Sequence, residues 1–157
     1  MATNLVKTPI SGDLSPEQVA DLIDRAATII ETDGLEVGDF WAGAVFRPYE
    51  PGLPCCTVGA LAAVAGYRDG VEAEKAFVGV SDYDPETGAA EPDRPHPVMV
   101  TVMQALGFRE AEDLYEWSDN AGDEEVVARL RSAAAAIRAH ACAAAITDPG
   151  PPRPTGG

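Results

Sequence analysis

The sequence predicts a mainly α fold: a compact single-domain bundle of about five helices around a buried central helix, joined by long irregular loops. Three observations carry that expectation. Apolar residues recur at helical spacing in two long stretches, Val19 to Ile30 and Val126 to Ala144, and such recurrence gives a helix one apolar face. Between them, Cys56 to Ala65 is small and apolar on every side, which suits a helix pressed by neighbours all round. Elsewhere Gly and Pro, 15 and 13 in the whole chain, interrupt any regular pattern.

At 157 residues and 46% hydrophobic content the chain has the size and apolar material for one core. The expected division is a disordered N-terminus over 1–13, a helical domain over 14–147 and a disordered Pro/Gly tail over 148–157.

Taken in order, Ser15, Pro16 and Gln18 form a capping-box start: the serine oxygen accepts an otherwise unpaired N–H and the amide reaches back. The first helix follows, with Val19, Leu22, Ile23, Ala26, Ile29 and Ile30 on its apolar face and Gly34 as its stop. Residues 35–54 hold too many Gly and Pro for a regular helix and read as an irregular, core-covering segment around Phe40, Trp41, Val45, Phe46 and Tyr49, with room for a short extended piece. The central helix runs from Cys56 to Ala65 and Gly66 ends it. Gly59 inside it costs about 1 kcal/mol relative to alanine, a loss usually offset where a neighbouring backbone comes close.

Val71 to Phe77 is expected to form two helical turns, with Ala73, Ala76 and Phe77 inward. Gly79 to Pro95 is acidic, Pro-rich and long for a connection, and reads as mobile. Val98 to Leu106 alternates like a strand, but Pro97 and Gly107 punctuate it as a helix. Glu110 to Trp117 is a short helix with Leu114 and Trp117 inward. The last helix opens on Asp123, Glu124 and Glu125, with Arg129, Arg131 and Arg138 further along, the order favoured by the helix dipole. Val126, Leu130, Ala133, Ile137, Ala141 and Ala144 form its stripe.

The net charge of −15 (26 acidic, 11 basic residues) repels phosphate backbones and anionic membrane surfaces. Direct nucleic-acid and membrane partners are therefore not expected. The N-terminus lacks the apolar run of a secretory signal, and three cysteines, two of them adjacent, are no disulfide framework. A cytoplasmic setting follows.

Familiar chemical fingerprints are missing: no glycine-rich phosphate loop, no His-Glu-x-x-His, no Cys-x-x-Cys. Ser118-Asp119-Asn120 matches one β-lactamase triplet without its Ser-x-x-Lys and Lys-Thr-Gly companions. Asp82 to Gly88 has alternating carboxylates, but not the glycine and glutamate positions of a calcium loop. No metal site and no cofactor is expected. Cys56 is the residue that could carry chemistry, since the start of a helix favours thiolate. A nucleophile also needs a base, for which His96 and His140 are the only histidines, and an orienting group, which Asp119 could supply. Burial among apolar neighbours is the commoner fate of such a cysteine. Trp41 and Trp117 can be core anchors or the shared wall of a ligand pocket, with Asp119 and Asn120 as its polar groups or, alternatively, as a turn before the last helix.

Trp41-Ala42-Gly43, then Cys56-Thr57-Val58-Gly59-Ala60-Leu61, then Trp117-Ser118-Asp119 before a charged helix with Glu125, Val126 and Leu130, resembles an uncharacterised domain family of actinobacteria and their phages. That family's pattern has an N-terminal helix, a tryptophan followed by a polar residue and glycine, a Cys-x-x-Gly-Ala-Leu segment and a Trp-Asn-Asp segment. The resemblance covers residues 16 to about 140; Ser118 stands where asparagine is usual and Ala42 where a polar residue is usual. It implies a helical fold and an actinobacterial or phage origin, and no reaction.

Two functions are compatible with these residues. The leading one is a non-enzymatic binding or regulatory module for a protein or small molecule. The alternative is a cysteine-dependent hydrolase or transferase using Cys56, with His96 or His140 as base and Asp119 as orienter.

Overall fold

The capping box at the start of the domain is formed as expected. In the computed structural model, which describes residues 14–44, 46–79 and 95–147, Ser15 Oγ accepts the Gln18 N–H at 3.2 Å and Gln18 Oε1 accepts the Ser15 N–H at 2.9 Å. Helix α1 (Pro16–Asp33) buries Val19, Leu22, Ile23, Ala26, Ile29 and Ile30, and ends at Gly34 with φ 96°. That angle lies in the region where only glycine is unstrained.

The irregular segment after α1 is held by backbone pairing. Cys55 donates its N–H to Gly34 O and accepts from Glu36 N–H, Ala42 N–H reaches Pro54 O, and Cys56 N–H reaches Phe40 O at 3.0 Å. Isolated bridges join Leu35 to Cys55 in parallel and Trp41 to Cys55 in antiparallel sense, so the short extended piece exists without a named strand. Trp41 is fully buried. Its indole N–H donates to Arg47 O at 3.1 Å, and its ring meets Tyr49 edge-on at 5.6 Å.

Helix α2 (Thr57–Val64) is buried at all eight positions. This is the central helix, wrapped by α1, by α5 and by the segment after it. Gly59 sits where a side chain has no room: a Cβ there would lie 1.7 Å from Phe40 O. The close backbone is thus the Phe40 carbonyl, the same atom that accepts the Cys56 N–H.

Helix α3 (Gly70–Glu72) runs on as a π-helical segment (Ala73–Val78). The expected two turns are present, but the later ones are wider than an α-helix. Phe77 is fully buried and packs on Tyr67 and His96, and Phe77 O accepts the His96 N–H at 3.0 Å; π turns place side chains at a register an α-helix cannot reach. Helix α4 (Pro97–Leu106) has Pro97 in its first turn and stops at Gly107 with φ 84°, which resolves the strand-or-helix ambiguity as helix. Helix α5 (Ala111–Asn120) is longer than expected and takes Ser118, Asp119 and Asn120 into its last turn.

Helix α6 (Asp123–Thr147) packs chiefly along α1. Val126, Leu130 and Ala133 are buried, while Ile137 and Ala141 are half-buried. Arg138 donates to Asp21 and Asp24 at 2.6 Å each and lies 3.4 Å from Glu17, while Arg131 is 3.6 Å from both Asp24 and Glu31. The carboxylates of α1 therefore face the arginines of α6. Such exposed pairs fix how two helices align more than they stabilise them.

The described residues thus form six α-helices and one π-helical segment, with no strand beyond the two bridges. No helix among them is long and apolar enough to cross a membrane. The expected tails (1–13 and 148–157), the core of the acidic loop (80–94, including the calcium-like Asp82 to Gly88) and Val45 lie outside the described residues. Ala76 and Ala144, also expected to face the core, lie outside those whose side chains are described.

Candidate ligand cleft at the start of the central helix

Cys56 is the N-cap of α2. Its Sγ accepts the Gly59 N–H at 3.3 Å, in the role usually given to serine or aspartate. The thiol is 2% exposed. Burial is the main reason its pKa is pushed up to about 12, helped by the carboxylates of Asp119 and Asp39 and opposed by the N–H groups of Gly59 and Val58. Helix-start polarity is present, but desolvation of the charged form outweighs it.

The next donor of α2 is satisfied from another helix. Ser118 Oγ accepts the Thr57 N–H at 3.1 Å and shares a 2.8 Å hydrogen bond with Thr57 Oγ1, both residues fully buried. One residue on, Asp119 Oδ1 accepts the Gly38 N–H at 3.1 Å. Through these three bonds α5 pins both the start of α2 and the loop before it. Ser118→Ala is expected to leave the Thr57 amide and hydroxyl without that partner in a dry interior, costing about 1–3 kcal/mol in a urea denaturation experiment.

These pieces enclose a cleft of about 450 Å³. The loop contributes Gly38, Asp39, Phe40 and Ala44, and α2 contributes Cys56. Gly70, Val71 and Glu74 form the opposite side, while Tyr115 and Asp119, one turn apart on α5, complete it. Phe40 and Tyr115 are stacked, with centroids 6.0 Å apart and planes at 26°. The Tyr115 hydroxyl is held protonated well above the usual phenol range, first by burial and then by Cys56 and Glu74.

Of the residues singled out from sequence, the structure brings Cys56 and Asp119 to this cleft and places the others elsewhere. His96 is the N-cap of α4, where Nδ1 accepts the Val98 N–H at 3.2 Å and the ring stacks on Phe77. His140 lines a separate groove of about 550 Å³ between α1, α4 and α6, with Thr101, Gln104 and Ile137. Trp41 is internal. Trp117 packs against Phe108, with the Arg129 guanidinium 4.9 Å from its ring and 4.8 Å from that of Phe108; Arg129 also donates to Leu106 O at the end of α4. The buried Trp117 indole N–H has no hydrogen-bond partner among the described residues. Asn120 turns back to donate to Glu116 O at 2.7 Å.

Sequence reasoning missed Asp39, Phe40, Glu74, Tyr115 and Ser118. For α5 a signal existed: Leu114 and Ser118 share one face by their spacing of four, and so do Tyr115 and Asp119. No such periodicity exists for Asp39 and Phe40 in an irregular loop.

Burial of neutral acids has a measurable consequence. Cys56 holds its proton in the folded chain to about 12, against 9.0 for a free thiol. Burial likewise raises Cys55, and Tyr49 to about 12. Between those values the unfolded chain has lost protons the folded chain retains, so stability is full below pH 9 and falls above it. We expect Cys56→Ser, which keeps an N-cap acceptor, to remove about 1.4 kcal/mol per pH unit from that slope, read from urea midpoints between pH 8 and 11.

The fold and the cleft define a class: a mainly helical domain around one buried helix whose N-cap lines a small cavity. The chain belongs to the family described as "Family of unknown function (DUF6197)", which it matches over residues 14–136. Comparison with curated proteins and with solved structures finds no match.

Proposed function

We propose that this domain is a non-enzymatic binding module whose cleft at the start of α2 takes a small ligand, in a soluble, cytoplasmic setting and without direct contact to nucleic acid. The observation that carries it is the cavity itself: about 450 Å³, walled by Phe40 and Tyr115, with the polar groups of Asp39, Glu74 and Asp119 around it. Small-ligand sites are typically concavities of about 300–1,000 Å³ with an apolar wall and a few placed polar groups. The groove at His140 is similar in size, but its polar side chains are Thr101, Gln104 and His140, with no carboxylate among its described lining.

The cysteine-enzyme reading has less support. A nucleophilic thiol has to be accessible and partly ionised near neutral pH, whereas Cys56 is enclosed, accepts a helix N–H and is held protonated. Neither imidazole lines the cleft.

The test is an amide NMR titration of the folded chain with a panel of small metabolites spanning cationic, neutral and anionic compounds. The expected result is saturable shifts at Gly38, Gly70 and Asp119 for at least one member. Shifts that cluster only at the His140 groove, or no saturable shift from any compound, would overturn the proposal.

A further inference from the structure

The charges around the cleft say which ligands it admits. Asp39, Glu74 and Asp119 line it, and among the described residues no lysine or arginine does. A helix start would normally offer an anion its unpaired N–H groups. Here two of them are consumed internally, Thr57 N–H by Ser118 Oγ and Gly59 N–H by Cys56 Sγ, and the preceding Cys56 N–H goes to Phe40 O. An anion entering the cleft would meet three carboxylates and would find the Thr57 and Gly59 donors of α2 already taken.

A bare metal ion is also a poor fit. Among the described residues no three His, Cys, Asp or Glu side chains come close enough together to hold one. The carboxylates are spread around a cavity, so the occupant has to be wide enough to reach between them. The stacked pair of Phe40 and Tyr115 supplies an aromatic wall in the same space, and aromatic faces attract cations as carboxylates do.

Building on the ligand-binding reading above, we propose that the cleft binds an organic cation, a primary ammonium or guanidinium on a short apolar or aromatic stem. Asp39 and Glu74 act as counter-charges, and Phe40 and Tyr115 hold the stem. Asp119 adds negative charge at the rim while one of its oxygens holds the Gly38 amide.

Three compounds that share a ring and differ in charge test this: benzylammonium, benzyl alcohol and benzoate, each titrated into the full chain at low salt and followed by amide NMR. Benzylammonium is expected to shift the Gly38, Gly70 and Asp119 amides saturably, at least about tenfold more tightly than benzyl alcohol, with no cleft shifts from benzoate. Asp39→Asn with Glu74→Gln, both at exposed positions, should keep the spectrum of the folded chain and weaken benzylammonium about fivefold or more, the equivalent of about 1 kcal/mol. Added salt should weaken it too. If benzyl alcohol or benzoate binds as tightly, the cationic assignment falls and the ligand-binding reading stands. If none of the three shifts those amides, the cationic assignment falls as well, and the broad metabolite panel decides the ligand-binding reading on its own.

Discussion

Gly59→Ala is expected to cost about 3 kcal/mol or more, or to abolish folding, although alanine is the better helix former. The propensity gain is about 1 kcal/mol. Against it stands a Cβ placed 1.7 Å from the Phe40 carbonyl oxygen and 2.4 Å from its carbon. These are backbone atoms, with no rotamer to turn away, so the loop at 38–41 must lift from α2. Lifting it breaks the Cys56 N–H bond to Phe40 O and moves the cleft wall. Overpacking of a filled interior costs about 1–3 kcal/mol and sometimes more, and the lost hydrogen bond adds about 1. Gly70→Ala is the control. It lines the cleft, but its Cβ would meet Ala44 O at 3.4 Å, and it should change the urea midpoint little. Equal stability of the Gly59 variant and wild type would mean that Phe40 does not rest on α2.

Trp41→Ala is the second large effect, expected at about 3–5 kcal/mol. The ring is fully buried between the irregular segment and the core, its N–H satisfied by Arg47 O and its plane set T-shaped against Tyr49. Truncation opens a cavity and frees a carbonyl in the same step. Trp41→Phe keeps most of the ring and loses the indole hydrogen bond, so about 1–2 kcal/mol is expected. The chain has two tryptophans, so in either variant Trp117 remains as a single fluorescent reporter of unfolding. A cost below about 1 kcal/mol for the alanine variant would show that the 35–54 segment is a loose cover rather than part of the core.

How much of this was readable beforehand depended on whether a local rule or a distant partner decided each residue. The start of α1, its stop at Gly34 and the Pro97 to Gly107 frame of α4 are local chemistry, written as caps and breakers. The wholly apolar run after Thr57 announced a helix buried on all sides, and Gly59 within it announced a close backbone. The π-helical turns at Ala73–Val78 were not readable, because their register answers to Phe77 packing on Tyr67 and His96. Nor was the length of α5: Ser118, Asp119 and Asn120 favour turns over helix interiors, but Thr57 and Gly38, from remote parts of the chain, hold the first two in place.

For the cleft, Cys56 and Asp119 could be picked out by residue type and position. The aromatic wall could not. Phe40 precedes the buried Trp41 in an irregular segment, where no period tells which neighbour faces outward. Tyr115 and Trp117 are two residues apart, roughly 200° around a helix, so one lines the cleft while the other packs on Phe108 and Arg129.

On the proposed reading Cys56 is an enclosed helix cap beside a ligand cleft and does no covalent chemistry. Timed alkylation of the folded chain near neutral pH, with peptide mapping of all three thiols, tests it most directly, since Cys142 is exposed while Cys55 and Cys56 are buried. Rapid labelling is expected at Cys142, with Cys55 and Cys56 modified only as fast as the domain unfolds. Labelling of Cys56 in the folded state at or above the rate of Cys142 would contradict it and return the cysteine-enzyme reading to first place.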